Sequence, residues 1–208
     1  MTFPRALRAV AITVGIALAA GALTPFAQQY LPHWVNSLSN SSGSWTMIGL
    51  LTVYLSRARG VMAAALGVTA LVLLNEMYSA VSSARGYPYA GGFASPWTYV
   101  AIGAGPFVGL AASWLRSARQ PLIAVAVAVP SAVLIGEAIY GLTVVADTTS
   151  PVYWCLQAAG GVAFVAVVAV RMLRSPEYIA FAGALTLTGA ALFVAFYSWW
   201  LPALFSAL

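Results

Sequence analysis

Long apolar runs, separated by short polar breaks that carry the arginines, set the pattern of this 208-residue chain. Read as helices, the runs fall near residues 6–27, 45–56, 61–82, 97–115, 122–146, 152–170 and 178–201. Most of them meet the roughly 20 residues needed to cross a hydrocarbon core about 30 Å thick. The run at 45–56 is short, so it is expected to tilt less or to be partly re-entrant, and it can begin within the polar stretch Ser39–Ser44. The first run follows Arg5 and Arg8 and contains Ala20–Gly21–Ala22, which imitates the cleavage site of a secretory signal. Its length, and the equally apolar runs after it, make it a span instead. The pattern therefore predicts an all-α, polytopic transmembrane bundle of seven spans, forming a single domain over residues 1–208.

The arginines orient it. Arg5 and Arg8 precede the first run, Arg57 and Arg59 join the second to the third, Arg116 and Arg119 the fourth to the fifth, and Arg171 and Arg174 the sixth to the seventh. Only Arg85 falls in a loop of the opposite set. Basic residues in short loops stay in the cytoplasm, which puts the N-terminus inside and predicts a multi-pass protein of the cytoplasmic (inner) membrane. An even number of spans would scatter the arginines over both faces.

Composition narrows the classes. The chain is 62% hydrophobic and 6% charged, with a mean hydropathy of +0.91, whereas soluble chains are about a quarter charged. The net charge of +5 would suggest nucleic acid in a soluble protein; here loop orientation accounts for it, and no nucleic-acid partner is expected. Cys155 and His33 are single, and four acids are too few for a carboxylate-rich centre. No metal and no cofactor are expected. No nucleotide-binding, Ser-His-Asp, HExxH or Asp-rich diphosphate motif is present.

An internal repeat runs through the middle. SPWTYVAIGAGPFVGLAASWLRSARQP (95–121) aligns without a gap on SPVYWCLQAAGGVAFVAVVAVRMLRSP (150–176), matching Ser-Pro, Gly105 with Gly160, Arg116 with Arg171 and Arg119 with Arg174. Upstream, LLNEMYSA (73–80) parallels LIGEAIYGL (134–142). Glu76 and Glu137 each stand 16 residues after Gly60 and Pro121. The third and fourth helices thus read as one copy of a two-helix hairpin and the fifth and sixth as another, related by an axis along the membrane normal. Within the fourth helix, Ala101, Gly105, Gly109 and Ser113 make a small-residue stripe suited to close contact. Pro106 and Pro130 fall inside helices.

Glu76 and Glu137 are the residues in which chemistry is expected. An ionisable group inside a span is costly and turns inward or toward water. Sixteen residues at 1.5 Å each put both acids roughly 24 Å from the cytoplasmic ends of their helices. Around them come Asn75, Tyr78, Trp97, Tyr99, Tyr140, Tyr153 and Trp154, candidates for binding a substrate. Gln28 and Gln29 end the first helix, and the loop RGYPYAGGF (85–93) adds further tyrosines. Interface belts hold Trp and Tyr as a rule, and single membrane acids often serve as structural glue; two acids at matched positions favour function. YLPHWVNSL (30–38) suggests a short interfacial helix with Trp34 and Leu38 on one face.

At LPHWVNSLSNSSGSW, GPFVGLAASWLR and LIGEAIYGL the chain resembles a family of small, uncharacterised actinobacterial membrane proteins. In architecture it is also similar to the seven-helix membrane terpene cyclases, which are small, lack metal motifs and protonate a prenyl chain with membrane acids. That similarity implies a metal-independent, proton-initiated cyclase of isomerase or lyase type acting on a lipophilic prenylated substrate. Glu76 or Glu137 would be the general acid, with aromatic faces stabilising the cation. The other class is a small-molecule transporter or substrate-binding membrane subunit that uses the glutamates as proton or cation sites. Either way the expected partners are a lipophilic small molecule and membrane lipids, and self-association into a homo-oligomer is compatible with the pattern.

Overall fold

The computed structural model describes residues 3–207, which form helices and connecting turns with no strand among them. The helices are α1 (Phe3–Tyr30), α2 (Ser42–Ser56), α3 (Gly60–Ala84), α4 (Pro96–Trp114), α5 (Gln120–Thr143), α6 (Pro151–Met172), α7 (Pro176–Ala195) and α8 (Leu201–Ala207). Short 3₁₀ helices lie at His33–Asn40 and Gly92–Ala94, and a π-helical turn, Phe196–Trp200, carries α7 into α8. The repeated Ser-Pro pairs are helix starts: Pro96, Pro151 and Pro176 open α4, α6 and α7. Proline suits this position, because its fixed φ is helical and its missing N–H would have no intrahelical partner.

Five of these helices are long and apolar enough to cross a membrane: Phe3–Tyr30, Gly60–Ala84, Gln120–Thr143, Pro151–Met172 and the continuous run Pro176–Ser206. They point to a membrane protein. α2, with 15 residues, is only about 22 Å long, and α4, with 19, about 28 Å. Two helix ends differ from the sequence expectation. The fifth helix stops at Thr143 rather than 146, because Thr148 and Thr149 turn their hydroxyls back onto the Val145 carbonyl and close a turn. The seventh does not stop at 201; the aromatic FYSWW stretch widens into a π turn and helix resumes to Ala207.

The chain forms two compact units. The first contains α1, α2 from Trp45 onward, α3, the 85–95 loop and α4 as far as Ser113. Its tightest contact joins α3 to α4. Gly67 lies against the Gly105 carbonyl and the Gly109 backbone, and Ala101, Gly105, Gly109 and Ser113 are all buried, as the small-residue stripe predicts. Lipid is as apolar as leucine, so apolar burial does not drive helices together in a membrane; such close backbone packing does.

The second unit contains residues 31–44, with the first turn of α2, and residues 114–207. α5 is its central helix, with 67% of its apolar window buried against 17% for the α7–α8 run. Gly136 rests on Ala190 and Phe193 of α7, and Gly141 lets the Trp154 ring of α6 lie flat on α5. At one end of this unit, the Gln120 amide donates to the Met172 carbonyl at 3.1 Å and accepts from the Arg174 N–H at 2.7 Å. The turn carrying Arg119 is thereby tied to the turn carrying Arg174. On the 3₁₀ helix His33–Asn40, Trp34 and Leu38 are both exposed, as an interfacial segment requires.

Candidate functional site

Glu137 is buried, 5% exposed, and its carboxylate meets the start of α2. Oε1 accepts from the Ser42 N–H at 2.7 Å. Oε2 accepts from the Ser41 hydroxyl at 2.5 Å, the Gly43 N–H at 2.8 Å and the Gln157 amide at 2.9 Å. The first backbone N–H groups of any helix lack intrahelical acceptors and carry partial positive charge. Here a carboxylate from another helix supplies the acceptor. Ser41 works both ways, since its hydroxyl oxygen also accepts from the Gly43 and Ser44 N–H groups as an ordinary N-cap. Tyr197 bonds Ser42, and Tyr153 bonds Ser44 and Gln157. Two backbone N–H groups, a hydroxyl and an amide thus converge on one carboxyl group.

Glu76, in the first unit, is half-buried and is treated alike. Oε2 accepts from the Gly92 N–H at 2.7 Å, at the start of the 3₁₀ helix Gly92–Ala94. Oε1 accepts from the Thr98 hydroxyl at 3.0 Å and faces the Asn75 amide at 3.3 Å. Gly92 needs to be glycine for its φ of +59°. A side chain at Gly91 would start 3.1 Å from Glu76 Oε2, so the loop packs directly over the carboxylate.

Also in the first unit, a cleft of about 330 Å³ opens between the ends of α1 and α3. α1 contributes Pro25, Gln28 and Gln29; α3 and the loop after it contribute Tyr78, Ser82, Arg85, Tyr87 and Tyr89. The Tyr78 hydroxyl donates to the Gln28 amide oxygen at 3.2 Å, and the Tyr78 ring meets the Tyr89 and Trp45 rings edge-on at 5.0 and 5.6 Å. The Arg85 guanidinium donates to the Gln29 amide oxygen and lies 4.2 Å over the Phe26 ring. Both partners are neutral. Burial, and then the neighbouring Tyr78, push the Tyr89 phenol above its ordinary range, so it remains a neutral donor in the cleft.

The nine residues singled out from the sequence divide between the units. In the first, Asn75, Glu76 and Thr98 form one hydrogen-bonded cluster, while Tyr78 belongs to the cleft and Trp97 neighbours Tyr89. Tyr99 is 39% exposed and donates to the Phe93 carbonyl rather than to Glu76. In the second, Tyr153 joins the Glu137 network, Trp154 donates to the Thr149 hydroxyl, and Tyr140 packs edge-on against Tyr197 at 5.4 Å. Sequence reasoning passed over Ser41, Ser42, Gly43 and Gln157 as site residues, as well as Ser82 in the cleft. Gln157, an amide in the middle of an apolar run, was the available signal.

Among the described residues no three His, Cys, Asp or Glu side chains cluster as metal ligands. Neither a curated protein nor a solved structure matches the chain. A family of unknown function, DUF6518, matches residues 2–202, nearly the whole length, and the chain belongs to that family.

Proposed function

We propose that the protein is a membrane-embedded binding protein or carrier for a small amphiphilic anion, which enters the α1–α3 cleft with its charged head toward Arg85. The observation that carries this reading is the guanidinium with neutral partners in an aromatic-lined cleft. Its charge is available to a carboxylate or phosphate, which it would bind by charge-assisted hydrogen bonds. The tyrosine rings offer apolar faces with hydroxyl donors at their rims. At about 330 Å³, the cleft lies at the small end of ligand pockets, which run from roughly 300 to 1,000 Å³.

In this reading the two glutamates are acceptors that hold helix and loop starts in place, since each accepts from backbone N–H groups. Proton-initiated cyclisation of a prenylated substrate is the second reading, favoured by the aromatic side chains near Glu137 (Tyr153 and Tyr197 in its hydrogen-bond network, Tyr140 against Tyr197). Thermal unfolding in detergent separates the two. Benzoate, octanoate and phenyl phosphate are expected to raise the Tm, benzyl alcohol and octanol are not, and the ligand is recovered chemically unchanged. Arg85→Gln is expected to weaken anion binding at least about tenfold, the loss of a hydrogen bond to a charged group. An anion response that survives in Arg85→Gln, or no response to any anion, sinks the carrier reading. Conversion of a geranyl or farnesyl substrate would put the cyclase in its place.

The same proposal takes the chain through the membrane seven times from a cytoplasmic N-terminus. The hydrogen bonds that tie the Arg119 turn to the Arg174 turn support it, because they hold two arginine loops at one end of the second unit. Reporters fused after Arg59, Arg119 and Arg174 are expected in the cytoplasm, and those after Ser42, Gly91 and Thr149 outside. Two reporters on the wrong face would overturn the topology.

A further inference from the structure

Part of the cleft wall is not helix. α3 ends at Ala84 in a tight closing turn, where the Gly86 N–H donates to the Ser83 carbonyl and the Tyr87 N–H to the Ser82 carbonyl. Gly86 there has φ +86°, and the next left-handed residue is Gly92, at φ +59°, where the 3₁₀ helix Gly92–Ala94 begins. A Cβ at either glycine would meet nothing within 4 Å, so backbone freedom rather than space explains them. Between the two run residues 87–91, and no backbone–backbone hydrogen bond joins these residues to one another. Side chains of α3 hold the segment instead, from positions 76, 79 and 83, which helical spacing puts on one face. Ser83 Oγ accepts from the Tyr89 N–H at 3.3 Å, and the Ser79 hydroxyl donates to the Ala90 carbonyl at 3.4 Å. Glu76 Oε2 accepts from the Gly92 N–H at 2.7 Å. α3 also gives Tyr78 and Ser82 to the cleft, and the segment adds Tyr87 and Tyr89 to it.

We propose that residues 87–91 are a movable strap on the cleft, hinged at Gly86 and Gly92, and that Glu76 is its latch. Opening breaks three side-chain hydrogen bonds and leaves the hydrogen bonds of both flanking helices intact, so it costs far less than unfolding the unit. Hinges of this kind are a few loop residues that absorb the backbone change. The Glu76 bond is the shortest of the three and meets the chain at a hinge, so it governs the motion most directly. Tyr89 lies edge-on to Tyr78 at 5.0 Å, so the ring that moves with the strap is also one that faces the ligand space. Glu76 does not line the cleft; it is a positioning residue that acts through Gly92. The strap's role in admitting an anion rests on the carrier reading, whereas its motion does not.

The test therefore begins without ligand, on the whole protein in detergent. Cys155→Ser removes the single native thiol. In that background Ser79→Cys puts a thiol under the strap, where Ser79 is 3% exposed, and Ser56→Cys puts one at the end of α2 in the same unit, where Ser56 is 6% exposed. Labelling by a water-soluble maleimide is measured at each position relative to its rate in denaturant. Position 79 is expected to label at least about tenfold faster than position 56, because local opening is cheaper than global. Glu76→Leu should speed position 79 by a further factor of about five, the loss of one ordinary hydrogen bond, and leave position 56 unchanged. Glu76→Gln keeps an acceptor oxygen and should fall between Leu and wild type. Equal labelling at the two positions would overturn the strap, as would a Glu76→Leu variant that speeds both alike. If Glu76→Leu does not fold, the comparison of positions 79 and 56 decides alone. Added 4-fluorobenzoate should then slow labelling at position 79 by closing the strap over the bound anion. Fast labelling that 4-fluorobenzoate does not slow would uphold the strap and sink the carrier reading.

Discussion

Glu137→Leu is expected to lower the Tm of the purified protein sharply. Leucine is close to glutamate in volume, so the change removes the acceptor and little else. It strands the Ser42 N–H and takes one acceptor from the Gly43 N–H, the Ser41 hydroxyl and the Gln157 amide, which keep Ser41 Oγ, Gln157 Oε1 and the Leu134 carbonyl. A buried donor left without an acceptor costs about 1–3 kcal/mol, and hydrocarbon supplies no water to replace it. That one stranded donor, with three other lost bonds at about 0.5–1.5 kcal/mol each, comes to at least about 2.5 kcal/mol, a sizeable part of the roughly 5–15 kcal/mol that holds a domain folded. Glu137→Gln keeps one acceptor oxygen and turns an NH₂ toward donors, so an intermediate loss of about 2 kcal/mol is expected. Thermal or denaturant unfolding in micelles reads both. A Leu variant as stable as wild type would mean that the carboxylate does not clasp the start of α2. A fully stable Gln variant that had lost a catalytic turnover would instead speak for the proton-donor reading.

The second large effect is expected at Gly67. A Cβ built there collides with the Gly105 carbonyl oxygen and with the backbone nitrogen and Cα of Gly109. These are main-chain atoms in the middle of α4, and no rotamer change can clear them. Gly67→Ala must push α3 and α4 apart, which costs about 1–3 kcal/mol by the usual overpacking scale, and Gly67→Leu should prevent the pair from forming. Gly103 is the control on the facing helix. Nothing lies within 4 Å of a Cβ at that position, so Gly103→Ala should be neutral or stabilise by up to about 1 kcal/mol through helix propensity. Equal effects at the two positions in detergent unfolding would rule out the close approach of α3 and α4.

Much was legible in the sequence because it depends on near neighbours. Apolar runs of span length give the helices, since in lipid a backbone must satisfy its own hydrogen bonds and the helix does so within one segment. Ser-Pro at 95–96, 150–151 and 175–176 marks three helix starts for a local steric reason. The stripe of Ala101, Gly105, Gly109 and Ser113 announces a contact face, because four-residue spacing puts small residues on one side of a helix. Glu76 and Glu137 stand out because an acid in an apolar run must be held by something.

What holds them was decided only in three dimensions. Glu137 meets Ser41 and Ser42 across about 95 residues and Gln157 across 20. No periodicity connects those positions, so the serines look like an ordinary polar approach to a helix. The cleft has the same origin. Gln28 and Gln29 close one helix and Arg85 follows another, and only the packing of α1 on α3 brings them to one wall. Ser95 looks like a routine cap until its hydroxyl is found buried without a partner. Local sequence fixes where backbone hydrogen bonds close within a segment. Which side chain then supplies the acceptor for an exposed helix start depends on which helices pack together, and that is a property of the tertiary structure alone.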